Sequence, residues 1–117
     1  MPRENVGEKQ FLDFLGAFAE DRIRCVFETR RGKVINIKVV QYETLLHGKW
    51  MPVIRYDTAH GFFHKDVYLF GGRKRLKEFI FKSSLEEALT FAIQDIRMNW
   101  PTYKSAFLEH ENGKEKF

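Results

Sequence analysis

Cysteine is nearly absent: Cys25 is the only one. That excludes an intrachain disulfide framework and a zinc site built from several thiolates, and it fits a reducing compartment. No apolar run approaches the ~18 residues of a membrane span. The polar start Met1-Pro2-Arg3-Glu4-Asn5 lacks the apolar stretch of a signal peptide, so the cytoplasm is the expected location and a membrane is not an expected partner. Internal repeats and low-complexity tracts are also missing. What remains is 117 residues, 44% hydrophobic, with a net charge of only +4. That is too apolar for a disordered chain and too short for two cores, which predicts a single domain over 1–117, ordered from about 8 to 108, with loose polar ends.

The charge is unevenly spread. Lys65 to Lys82 holds six basic and two acidic residues, the whole of the net +4. Lys65, Arg73, Lys74, Arg75 and Lys77 are therefore candidates for gripping nucleic acid or an acidic protein partner. A charged turn and edge strand that discourages edge-to-edge pairing explains the same cluster.

Phe11, Phe14, Leu15 and Phe18 follow the i, i+3, i+4, i+7 spacing and predict an N-terminal helix over about 8–20. From Ile23 the period changes to two, and Ile23, Cys25 and Phe27 predict a strand with one buried face. The turn Arg30-Arg31-Gly32 suits a three-residue hairpin loop that pairs Phe27 with Ile35 and Cys25 with Ile37. Further strands are expected over Val34–Glu43, Trp50–Asp57 and Phe62–Phe70, with a fifth over Leu76–Phe81; Pro52 makes the Trp50 strand an edge or a bulged one. Ser83/Glu86 and Ser84/Glu87 offer two overlapping capping boxes ahead of a helix whose stripe runs from Leu85 to Trp100. Pro101 is expected to end or kink that helix, with a short one after it around Tyr103 and Phe107. The fold class is α+β: an N-terminal helix, a four- or five-stranded antiparallel meander and a long C-terminal helix on one face.

The densest polar group lies in one hairpin, where Arg55, Asp57, His60, His64 and Asp66 fall within twelve residues. Joining the two apolar strand faces requires an even loop. Pairing Tyr56 with Phe63 then sets Arg55 across from His64, with Asp57 and Asp66 flanking and His60 in the turn. Three readings fit the group. Histidine beside carboxylates can act as a general acid or base while arginine stabilises a developing phosphate anion, the parts of a metal-independent ribonuclease with no cofactor. His60, His64 and one aspartate would also make a mixed nitrogen and oxygen metal site, although the spacing matches no standard zinc motif. The third reading is an ion-pair network on a solvated strand face. Phe62 and Tyr68 are expected on that polar face, whereas Cys25 reads as a buried structural thiol.

The run Val53-Ile54-Arg55-Tyr56-Asp57, the nearby histidines, and Phe81-Lys82-Ser83-Ser84-Leu85-Glu86-Glu87-Ala88-Leu89 with Asp95-Ile96 resemble the TumE family of small toxins. The resemblance covers Trp50 to Trp100, less than half of the chain. It implies a toxin-like, RNA-directed protein with an antitoxin protein as partner, and by position it singles out Arg55, Tyr56, Asp57, His60, His64 and Asp66. A non-catalytic binding domain that uses the basic 65–82 segment is the second reading, and a small metal-binding protein the third.

Overall fold

Six strands pair in sequence order as one antiparallel meander: β1 (Val6–Leu15), β2 (Asp21–Arg30), β3 (Lys33–Leu46), β4 (Lys49–Asp57), β5 (His64–Tyr68) and β6 (Lys74–Phe79). A 24-residue helix, α1 (Leu85–Leu108), follows and lies mainly against β3 and β4. This is a computed structural model describing residues 6–70 and 74–109, without the side chains of His60, Lys74 and Arg75. Among the described residues no helix is long and apolar enough to cross a membrane.

The helix expected over 8–20 does not form, and the sheet has six strands rather than four or five. Residues 6–15 are strand β1, paired along ten residues with β2. Phe11, Phe14, Leu15 and Phe18 satisfy a helical stripe, but the first three also serve the two faces of a strand, and Phe18 lies beyond it. Phe11 and Leu15 turn to the face that carries α1, opposite Cys25 and Asp21; Phe14 turns the other way and meets the Trp50 ring edge-on at 6.2 Å. Pairing decides the outcome, because β2 would otherwise leave a row of backbone groups open.

Gly16 ends β1 with a φ of +72°, and a Cβ placed there would stand 3.0 Å from the Trp100 ring. Gly16→Ala is therefore expected to cost about 2 kcal/mol through left-handed backbone strain and displacement of the ring. A urea unfolding curve checks this.

The hairpin registers differ from expectation in instructive ways. The β2–β3 turn is a two-residue loop, Arg31-Gly32, with both φ positive, closed by the pair Arg30 and Lys33. Two irregularities then set Phe27 opposite Ile37 and Cys25 opposite Val40, so apolar residues still face apolar ones two or three positions away from the expected pairs. His47-Gly48 closes β3–β4 in the same way. Strand β4 is bulged opposite Glu43, with Pro52 as its partner there. The bulge carries Trp50 away from Ile54 and Tyr56 onto the opposite face, where the Arg22 guanidinium lies 3.8 Å from its ring centroid.

Of the two capping boxes, the Ser84 one forms by half: its hydroxyl accepts the Glu87 N–H at 3.1 Å, while the Glu87 carboxylate accepts the Ser83 N–H at 3.0 Å and the Ser83 hydroxyl at 2.7 Å. Glu86 instead accepts the backbone N–H of Val34 at 2.8 Å, tying the start of α1 to β3. Pro101 neither ends nor splits α1, which runs on to Leu108 and absorbs the expected short helix. The lost N–H removes one helical bond. Packing beyond it compensates, since Phe107 is buried and meets the Phe70 ring edge-on.

Candidate functional site

The sheet has one apolar face, covered by α1, and one polar face. Cross-strand pairing sets a single row on the polar face, Arg24, Gln41, Arg55, Asp66 and Lys77, one residue from each of β2 to β6. Beside it stand Glu43 on β3, Asp57 on β4 and His64 on β5.

The β4–β5 hairpin is shifted by two residues from the expected register. Asp57, not Arg55, lies opposite His64, and Arg55 lies opposite Asp66. A shift of two keeps the parity, so all four stay on one face. The shift arises because Phe62 and Phe63 belong to a six-residue connection that contains a 3₁₀ turn at Ala59–Gly61. Phe63 still stacks on Tyr56, at 5.5 Å and 13°. Thr58 pins the connection to β3, accepting the Ile37 N–H at 3.0 Å through its hydroxyl. Asp57 then accepts the Ala59 N–H two residues on, at 3.0 Å, in an aspartate turn that fixes its carboxylate.

The centre is tight and buried. Asp57 and His64 are each 4% exposed and Asp66 2%. Arg55 Nε donates to Asp57 Oδ2 at 2.8 Å. His64 Nδ1 lies 3.1 Å from the Phe62 carbonyl oxygen, which can only accept, so Nδ1 carries a proton. His64 Nε2 lies 3.2 Å from Asp57 Oδ1 and 3.7 Å from Asp66 Oδ2. A nitrogen facing two carboxylate oxygens needs a positive centre between them, whether a proton or a metal ion. Phe62 and Phe79 stand at the rim, 61% and 69% exposed, with rings 5.8 Å apart; Phe79 is also the β6 partner of His64.

Among the other candidates, Lys77 is exposed on the polar face opposite Asp66. Lys65 is on the opposite face, donating to the Tyr103 hydroxyl at 2.7 Å. The backbone of His60 falls in the 3₁₀ turn; its side chain, all of Arg73, and the side chains of Lys74 and Arg75 lie outside the described residues. Tyr68, beyond an irregularity in the β5–β6 pairing, packs against the core. Burial pushes the Cys25 thiol up to about 11, as a structural thiol requires.

Two clusters were not legible in the sequence. On the polar face Glu43 accepts from Arg22 Nε at 2.8 Å, Arg24 Nε at 3.0 Å and Gln41 Nε2 at 2.6 Å. Burial raises its carboxyl, but these hydrogen bonds outweigh that and hold it below the ordinary carboxylate range. The folded-state value is the depressed one, so the contribution to stability is complete above the ordinary glutamate range and is lost as pH falls through the folded value. Thermal midpoints measured against pH should fall on that acid limb, and Glu43→Gln should flatten it.

On the helix face Asp95 Oδ2 accepts the hydroxyls of Tyr56 at 2.5 Å and Tyr103 at 2.6 Å, while Asn99 donates to Oδ1 at 2.9 Å. Burial first, and then the Asp95 hydrogen bond, push both tyrosines well above the ordinary range. Asp95, Asn99 and Tyr103 follow the i, i+4, i+8 spacing of one helix face, but Tyr56 lies 39 positions before Asp95 on β4, and no spacing rule links it to them.

No curated protein and no solved structure matches the chain. A family model does match, over residues 6–113, and so takes in all six strands and the whole of α1: the chain belongs to the family defined by the domain of unknown function DUF7718.

Proposed function

We propose that this protein is a toxin-like, RNA-directed protein that works through the polar face of β4 and β5. The observation that carries the reading is the meeting of Arg55, Asp57, His64 and Asp66 on one face, beside two exposed aromatic rings. Arg55, with a side chain about one-third exposed, is the most accessible cation of the group and suits a phosphate. Phe62 and Phe79 offer stacking surfaces for bases. His64, with Nδ1 fixed by a carbonyl, turns its other nitrogen to the acidic pair, where a proton or an ion can be exchanged. The TumE resemblance rests on this same hairpin and supports the reading; with it come an antitoxin protein as partner and a cytoplasmic setting.

The test is cleavage of a mixed RNA pool by the purified protein, followed by gel electrophoresis, alongside Arg55→Ala. Cleavage that depends on Arg55 supports the reading. Salt-sensitive RNA binding without cleavage would replace it with a binding domain that uses the basic 65–82 segment. Neither binding nor cleavage at ~50 mM salt would remove RNA as the target.

A further inference from the structure

We infer that Asp57, His64 and Asp66 form the site of a single divalent transition-metal ion of the zinc or manganese class. One donor atom from each side chain lies within 4.8 Å of the others. Metal–ligand bonds of ~2.0–2.2 Å at tetrahedral to octahedral angles put neighbouring donors roughly 2.9–3.5 Å apart. The two distances from His64 Nε2, 3.2 and 3.7 Å, fall at that spacing or within a few tenths of it.

The surroundings are those of a ligand set. His64 gives its Nδ1 proton to a backbone carbonyl, as metal-bound histidines regularly do, which leaves Nε2 to bind. Asp57 is oriented from outside: Arg55 takes Oδ2, and the Ala59 N–H helps hold Oδ1 towards Nε2. One imidazole and two carboxylates suit ions of intermediate softness. Three protein ligands leave open positions, where a bound water becomes more acidic and can serve hydrolysis. The ion is thus the cofactor of the site proposed above, and it rests on that reading only for its use; binding itself is measured without RNA.

The purified chain, stripped with EDTA and dialysed, is equilibrated with Zn²⁺ or Mn²⁺ and analysed for retained metal. One equivalent is expected, with a rise in thermal midpoint of about 10 °C at 100 times Kd. His64→Ala and Asp66→Asn should each weaken binding at least ~10-fold, whereas His47→Ala in the β3–β4 turn should not. If either site variant fails to fold, one equivalent of Co²⁺ on the parent protein should give visible absorption bands that Zn²⁺ displaces. No retained equivalent and an unmoved midpoint would overturn the inference even if RNA is cleaved, as would binding that survives both site substitutions. One retained equivalent with neither RNA binding nor cleavage keeps the ion site and removes only the RNA reading.

Discussion

Arg55→Ala and His64→Ala are each expected to lower RNA cleavage by about 100-fold or more, the size of effect that follows loss of a charge-stabilising cation or of a ligand to the ion of the site. The two substitutions differ in their structural consequences. The Arg55 side chain is partly solvated but its partner Asp57 is buried, so Arg55→Ala should cost about 2 kcal/mol, more than a surface ion pair is worth, and its rate must be referred to the folded fraction. His64 is buried against two carboxylates, and removing it leaves them facing a cavity. His64→Gln, which keeps a hydrogen-bonding group there, should be measured beside it, with each rate referred to the folded fraction. Tyr103→Phe, on the helix face, should leave the rate unchanged. A merely structural pairing of Arg55 with Asp57 predicts a different pattern, a loss of stability and no change in any activity.

Asp95→Ala is expected to be the most destabilising single substitution considered, at about 3 kcal/mol by urea unfolding. The carboxylate accepts two tyrosine hydroxyls and lies 3.7 Å from Lys65 Nζ, so its removal leaves several partly buried donors without their acceptor. Tyr56→Phe and Tyr103→Phe each delete one donor and should cost about 1 kcal/mol. Asp95→Asn, which keeps an acceptor oxygen but loses the charge, should fall between these values. The network joins β4, β5 and α1 on the face opposite Arg55, so folded molecules of all these variants should retain their RNA activity.

Sequence periodicity was informative where one face of an element is buried and the other is not. Ile23, Cys25 and Phe27 alternate and form β2; the Ser84 cap and the stripe from Leu85 to Trp100 form α1. It misled where both faces of a strand carry apolar residues. Phe11, Phe14 and Leu15, with Phe18 beyond the strand, mimic a helical stripe because β1 packs Phe11 and Leu15 towards α1 while sending Phe14 to Trp50. Pro101 misled for another reason: a proline rule counts the lost N–H, but the anchoring of Phe107 depends on packing from Phe70, far away in sequence.

The same distinction holds for the polar face. That Arg55, Asp57, His64 and Asp66 share it follows from parity alone and survives a two-residue error in register. The identity of the partners does not: Asp57, not Arg55, stands opposite His64, and that exchange turns an expected cation–histidine pair into a histidine between two carboxylates. Glu43 and its two arginines, contributed by β2 and β3, needed the long-range pairing to be seen at all.

The central claim is that the polar face of β4 and β5 meets RNA, and amide chemical-shift mapping of the protein during titration with a short RNA tests it most directly. The account predicts that the largest changes fall at Arg55, Asp57, His64, Asp66 and Lys77, with the Phe62 and Phe79 amides among them. Changes confined to the outer face of α1 or to the β1 edge, with the β4–β5 hairpin unmoved, would contradict it.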